Sequence, residues 1–168
     1  YVMPETETDE LIVTPVSTTA TADFCASMAM AYEYYQKVDK DFAEKCLNAA
    51  KNAWAFLQKN PNFIFSNPSD ITTGDYGDTS DIDERYWAAA QMWRATGEDT
   101  YRTALESMRV QNGMDWMEMG DYGNIAILTM DGVDTNSDLY TRAKTSILKE
   151  ADKMKGLSQS NPYGVSVS

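Results

Sequence analysis

The sequence predicts an all-α chain built from helical hairpins, and three observations carry that prediction. Almost every periodic segment repeats apolar residues at spacings of three and four, and convincing strand alternation is missing. Short and long connections alternate along the chain. The even-numbered helical segments open alike, as "KDFAEKC", "DTYRTAL" and "DLYTRAK". Each has an aromatic near its first turn and a small or apolar residue three or four positions later, which is a weak internal repeat.

The first helix is expected over Ser17–Val38, capped by Ser17 or Thr18, with Phe24, Met28, Ala31 and Tyr35 as its apolar stripe. Tyr32, Tyr34 and Tyr35 read as core rings. The second helix, Asp41–Lys59, continues the pattern through Phe42, Cys46, Ala49, Ala50, Ala53 and Leu57. Asp83–Ala95 is the third, closed by Thr96-Gly97, and its Tyr86, Trp87 and Trp93 recur at helical spacing, as core rings do. Thr100–Arg109 is the fourth. Asp121–Met130 is a short apolar fifth, stopped by Asp131-Gly132. Ser137–Lys155 is the sixth, with Gly156 as its expected C-cap. The run "LIVTPV" is β-prone but broken by Pro15, and "NPNFIFSNP" is too interrupted for a central strand.

The turns "DK", "TGED" and "MDGVDTN" join helices within hairpins, while about twenty residues separate the second and third helices and about ten the fourth and fifth. If the hairpins stack side by side, the short turns lie on one face and the long loops on the other. Long loops on a compact scaffold usually carry function. The longest contains "TGDYGDTSDIDERYW"; Trp116 lies in the next, and Tyr163 in the tail "NPYGV".

Composition narrows the chemistry. Apolar residues make up 43% of 168 residues, a globular composition with enough chain for one core. A net charge of -12 argues against nucleic acid and anionic membrane surfaces as partners. No apolar run approaches the ~18 residues of a spanning helix, and no signal peptide is visible. Because the sequence opens at Tyr1, it reads as a mature or excised piece of a longer protein. Histidine is absent, so Ser-His and Cys-His nucleophiles and His-ligated metals are excluded from this chain. Acid–base work would fall to carboxylates, Tyr or Lys. Cys25 and Cys46 sit far apart in apolar helical patterns and read as buried free thiols.

The acidic stretch admits several readings. Asp75, Asp78, Asp81 and Asp83 do not fit the EF-hand ladder of Asp at 1, 3 and 5, Gly at 6 and Glu at 12. Asp83 and Glu84 open a helix, where carboxylates favour the macrodipole whether or not they bind anything. With backbone carbonyls turned inward before them, they would form a hard-oxygen site suited to Ca²⁺. A solvated acidic helix start is the plainer alternative. A glycosidase pair sits ~5–9.5 Å apart across a cleft, and near neighbours in one loop rarely straddle a substrate. Among the aromatics, Tyr76, Trp116, Tyr122 and Tyr163 lie in or beside the long loops. Exposed rings there are natural platforms for the apolar faces of sugars.

Read in order, these blocks resemble glycoside hydrolase family 9, the cellulases and endoglucanases. "YVMPETETDELIVTPVSTTATADFCASMAMAYEYY" and "DFAEKCLNAAKNAWAFLQKNP" resemble its successive helices. "TGDYGDTSDIDERYWAAAQMWRATGEDTY" is similar to its "GxYGDxxxxDEFxWAAAELYxATGDxxY" block, and "DWMEMGDYGNIAILTM" and "NPYGV" follow in family order. The resemblance covers nearly the whole chain. It implies an α/α toroid, with three helical hairpins forming part of an (α/α)6 barrel and the odd-numbered helices on its inner ring. Residues 1–168 would then be a single partial domain, a middle section of the catalytic domain.

The resemblance further implies a secreted endo-β-1,4-glucanase that acts on cellulose or related β-glucans with inversion. The family's base, an Asp in a "DAGD"-like motif, is expected before Tyr1, and its acid, a Glu, after Ser168. A structural Ca²⁺ is implied on Asp83 and Glu84, with backbone oxygens of Thr79 and Ser80 and a further acid at Glu118. Tyr76, Trp116, Tyr122 and Tyr163 are the expected glucan-facing rings. The partners implied are the glucan and the remainder of the catalytic domain, with self-association of the isolated chain as a further expectation. A noncatalytic hairpin scaffold that binds glycan or protein is one alternative. Another α/α-toroid carbohydrate enzyme is a second, but lyases and uronyl hydrolases act on acidic glycans and need basic clefts.

Overall fold

The computed structural model describes residues 3–8, 14–70 and 77–166. After a 3-10 turn at Pro4–Thr6 come six helices: α1 (Thr18–Tyr35), α2 (Lys40–Lys59), α3 (Ile82–Thr96), α4 (Asp99–Ser107), α5 (Gly120–Leu128) and α6 (Asp138–Ser160). No strand occurs among the described residues. The expected helices are all present with ends shifted by a few residues. Of the run Leu11–Val16, the first three residues lie outside the described ones and the rest form no strand.

Local chemistry fixes most ends. The Ser17 hydroxyl accepts from Ala20 N at 3.3 Å, Asp39 Oδ1 from Phe42 N at 3.0 Å and the Ser137 hydroxyl from Tyr140 N at 3.3 Å. Each satisfies an orphan donor of a first turn. α3 ends at Gly97, whose φ of 69° is the left-handed conformation glycine adopts without strain. The expected stop at Gly156 is wrong. α6 continues through it and ends at Ser160, before Asn161-Pro162. A glycine inside a helix costs only about 1 kcal/mol against alanine, whereas a proline drives the residue before it out of the helical region. Asn161 is extended accordingly, with ψ 128°.

The hairpins stack into a strip two helices deep. α1, α3 and α5 pack side by side in that order, and α2, α4 and α6 each pack behind the helix they follow. Small residues set the α1–α2–α3 spacing: Ala22, Ala26, Ala29, Ala50, Ala88, Ala89 and Ala90 are fully buried, which lets the helix axes approach closely. Leu57, Met92, Leu105 and Ile127 fill the space between layers. Cys25 and Cys46 are buried free thiols, as expected.

The expected apolar stripe of α1 is not the buried one. Thr18, Ala22, Cys25, Ala26 and Ala29 face the core, while Phe24 is 47% exposed, Tyr35 42% and Tyr34 74%. α1 is apolar nearly all round, so periodicity could not select a face. The packing chose the small-residue stripe because it lets two neighbours come close. The large side chains were left on the concave side and on the outer edge of α1.

Candidate functional site

The N-termini of α1, α3 and α5 lie on one rim, and hydrogen bonds between their loops hold them there. Thr18 N donates to Phe63 O at 2.8 Å, and Phe63 N returns to the Thr18 hydroxyl at 3.0 Å. Asp83 Oδ2, in the first turn of α3, accepts from Met119 N at 2.6 Å, just before α5. The 108–119 loop is anchored through a buried network. Tyr86 Oη donates to Asn124 Oδ1 at 2.7 Å, and Asn124 Nδ2 donates to Asp121 Oδ1 and Gln111 O at 2.8 Å. Asp121 Oδ2 accepts from Gly113 N at 3.1 Å.

The rim carboxylates divide into two kinds. Asp81, 4% exposed, pairs with Arg85 Nη2 at 2.9 Å. Burial pushes its carboxyl up, but the Arg85 guanidinium and the Thr18 hydroxyl more than offset this and hold it below the usual range. Arg85 also donates to Leu57 O and Asn60 O, tying the end of α2 to α3. This pair is structural.

Asp23, Asp78, Asp83 and Glu84 are different. Among the described residues no Lys or Arg forms an ion pair with any of them. Glu84 is 2% exposed, and its Oε2 is buried without a hydrogen-bond partner; Asp23 Oδ1 is in the same state. Burial first, opposed by a backbone N–H and reinforced by Asp83 and Asp78, raises Glu84 to about 9. Burial, then Asp83 and Asp78, raises Asp23 to about 6. Uncompensated buried carboxylates are unfavourable unless protonated or met by a cation. Oxygen-only donors of this kind suit a hard divalent ion, and no thiol belongs to the group. Among the described residues, no three acidic or thiol side chains already converge on one point that could hold a metal. Closing on an ion would take side-chain rotation and backbone oxygens from the 77–81 segment.

The residues singled out from sequence fall at four places. Asp83 and Glu84 lie together at the head of α3, with exposed Thr79 and half-buried Ser80 just before them. Asp78 Oδ1 accepts from Ser80 N at 3.1 Å, which turns this segment over the helix end. Glu118 is near in chain, one residue before the Met119 N–H that reaches Asp83, but its side chain folds over Gly113, within 2.5 Å of where a Cβ would stand. Its charge also reaches Lys153 of α6, whose amine is raised chiefly by its ion pair with Glu150 and only secondarily by Glu118. Trp116, 59% exposed, and Tyr163, 89% exposed, are rings open to solvent in the loop before α5 and the tail after α6. Tyr76 lies outside the described residues.

Tyr122 is on the concave face rather than the loops. Its ring packs on Trp87 with centroids 5.2 Å apart. Both line a half-open groove of ≈ 450 Å³ formed entirely by α1, α3, α5 and the residue ending α5. Across its floor, Arg94 Nε pairs with Glu33 Oε1 at 3.0 Å, Gln91 donates to Glu33 Oε2, and Arg94 donates to the Thr129 hydroxyl.

Sequence reasoning missed Asp23, the Tyr86–Asn124–Asp121 network and the Glu33–Arg94 pair. Only Asp23 gave a signal: it is the single charged residue between Ser17 and Tyr32 in an otherwise apolar helix.

Helical hairpins layered inner on outer, with an acidic and aromatic rim at the inner N-termini, are the architecture of an α/α-toroid carbohydrate enzyme. Glycosyl hydrolase family 9 matches over residues 3–166, and the chain belongs to that family. Endoglucanase D of Acetivibrio thermocellus is 39% identical over 170 residues, covering 98% of this chain. A cellodextrinase of Butyrivibrio fibrisolvens is 28% identical over 184 residues, also covering 98%. The structure of AaCel9A in complex with cellobiose-like isofagomine superposes with a TM-score of 0.90 at 30% identity over 99% of this chain. The six helices are thus a section of an (α/α)6 barrel, with the odd-numbered ones inner. The chain spans 27% of that endoglucanase, 33% of that cellodextrinase and 32% of the AaCel9A chain.

Proposed function

We propose that this chain is a section of a secreted endo-β-1,4-glucanase that hydrolyses cellulose or a related β-glucan with inversion. The observation that supports this most directly is the 39% identity to Endoglucanase D across 98% of the chain. Its part in the reaction is to build the cleft rim. Trp116 and Tyr163 are open rings at the loop end of the inner helices, Tyr122 lies in the concave groove, and Tyr76 precedes α3 in sequence. Such rings stack on the apolar faces of pyranose units, and nearby polar groups meet the hydroxyls. The acid and base that cleave the bond belong to other sections of the domain, which is also this chain's physical partner. A polymeric substrate cannot enter a cell, so an enzyme of this kind acts outside it.

The same reading places a structural Ca²⁺ at Asp83 and Glu84, with oxygens of Thr79 and Ser80. The orphaned Glu84 oxygen at the head of α3 is the feature of this chain that fits it. When bound, the ion supplies charge compensation to the rim. The carboxylates themselves fix the turn into α3 and, through Asp83, the Met119 backbone before α5. Glu118 would need to leave Gly113 to take part.

The test is a chimera in which this chain replaces the matching section of Endoglucanase D. The folded chimera should release reducing sugar from soluble β-1,4-glucan and give products of inverted anomeric configuration by NMR. Trp116→Ala should raise its KM. A folded but inactive chimera would count against the reading, and retained configuration would remove the inverting part of it.

A further inference from the structure

Three large apolar side chains are open to solvent within four residues of the loop before α5. Met114 is 49% exposed, Trp116 59% and Met117 40%. Single exposed apolar residues are ordinary, but a run of them marks a surface that meets something. A ring at the tip of a loop contributes to binding only if the backbone beneath it is already in place, because ordering a loop on binding costs affinity.

Asp115 supplies that order. Its Oδ1 accepts from Met117 N at 2.8 Å and from Glu118 N at 2.9 Å, and its own N–H donates to Glu118 O at 3.1 Å. Residues 115–118 are thereby closed into a tight turn with Trp116 and Met117 at its centre. Aspartate favours the first position of such turns because its short side chain reaches the backbone N–H groups ahead of it. The same N–H groups hold its carboxyl below the usual carboxylate range, so both bonds are charge-assisted. The base of the turn is fixed separately. Asp121 N donates to Gly113 O at 2.9 Å, Gly113 N donates to Asp121 Oδ2 at 3.1 Å, and Met119 N donates to Asp83 Oδ2. The base therefore holds the loop to α3 and α5, and Asp115 holds the tip. Asp115 is itself exposed, so its side chain adds nothing to the core; its hydrogen bonds act on the turn that carries Trp116.

We propose that Asp115 is the positioning residue for Trp116, closing the turn that presents the ring to a glucose unit of the glucan. This rests on the glucan reading of Trp116 above and adds a residue to it. Asp115 acts through the ring rather than on the sugar. Without it the turn samples other conformations, and apparent affinity falls in proportion to the fraction of molecules that present the ring. Met114 and Met117, on either side in the chain, add flexible apolar surface to the same tip.

The test uses the chimera described above, carrying Asp115→Ala, Asp115→Asn, Trp116→Ala or the alanine pair together. Far-UV circular dichroism and thermal melting check that each is folded. Asp115→Ala should raise KM for soluble β-1,4-glucan by about three- to tenfold with kcat nearly unchanged, the pattern left when a binding conformation is depopulated. Asp115→Asn keeps the side-chain oxygen that accepts both N–H groups and should restore a near-wild-type KM. Trp116→Ala should raise KM at least as far as Asp115→Ala. The double variant should go no further than Trp116→Ala alone, because a residue that acts through the ring has nothing to position once the ring is gone. A wild-type KM in Asp115→Ala, an asparagine variant as impaired as the alanine one, or additive effects in the double variant would each overturn the positioning role while leaving Trp116 on the glucan. A wild-type KM in Trp116→Ala would overturn the glucan reading of Trp116 and this role with it.

Discussion

Two neighbouring residues, Asp81 and Glu84, show how environment sorts carboxylates that look alike in sequence. Both are buried, but Asp81 has Arg85 and the Thr18 hydroxyl, and Glu84 faces Asp78 and Asp83. Their stability contributions therefore have opposite pH dependence. Asp81 is held below its ordinary 3.8, so its contribution is present above that pH and lost as pH falls. Glu84 is raised from 4.5 to about 9 and Asp23 from 3.8 to about 6. Between those values the folded state binds more protons than the unfolded, so stability falls as pH rises. The metal-free chain should be most stable near pH 4–5 and lose melting temperature toward pH 9, with Glu84→Gln flattening the fall. Scanning calorimetry in chelator checks this. A melting temperature that is flat or rises over that range would show that the Glu84 charge is compensated by something else. With Ca²⁺ present the trend should weaken, because a bound cation favours the deprotonated carboxylates.

At the scale of elements, the seating of α5 against α3 and against the 108–119 loop depends on two missing side chains. A Cβ on Gly123 would stand 2.7 Å from Tyr86 Cδ1 and 3.2 Å from Trp87 Cα, and one on Gly120 would stand 2.3 Å from Asn112 N. These glycines bring α5 close enough for Asn124 to meet the Tyr86 hydroxyl and for Asp121 to hold Gly113. Gly123→Ala should force the helices apart and cost about 1–3 kcal/mol, the usual range for overpacking. Chemical denaturation would measure the loss. Tryptophan emission should shift as well, because Trp87 borders the contact. A neutral substitution would mean that Tyr86 swings away without penalty. The helices, their alternation and the acidic start of α3 were legible in sequence because periodicity, caps and charge act locally. The face of α1, the length of α6 and the position of Asp23 were not. An inner helix is apolar nearly all round, a proline outranked a glycine as the stop, and Asp23 comes into the field of Asp83 and Asp78 only when α1 packs on α3. Gly120 and Gly123 were equally silent, since a close approach is a property of two elements.

The molecule as a whole is a strip with an unfinished side, and that decides what the isolated 168-residue polypeptide should do. Among the described residues it carries rim and groove but no acid–base pair spanning a cleft, so it should release no reducing sugar from soluble β-glucan; measurable release by the pure chain would mean that a pair is present after all. Its concave and outer α1 surfaces expose Phe24 at 47%, Tyr34 at 74%, Val38 at 80% and Ile125 at 39%. A second apolar groove of ≈ 580 Å³ runs over Ser27, Met30, Ala31, Tyr34, Tyr35 and Val38. Burial stabilises by about 25 cal/mol per Å² of apolar surface, and contiguous exposed patches beyond a few hundred Å² lead to association. Opposing this is a net charge of -12, whose repulsion between copies is screened beyond ~10 Å at 0.1 M salt. The balance should therefore turn with ionic strength. At low salt the polypeptide should sediment as a smaller, dye-binding species, and as salt rises it should pair or form larger assemblies. Adding the remaining sections of the catalytic domain should suppress both dye binding and self-association, because the same surface would then be covered. A compact monomer at every salt concentration, with cooperative unfolding and no hydrophobic-dye binding, would show that the strip closes its own core.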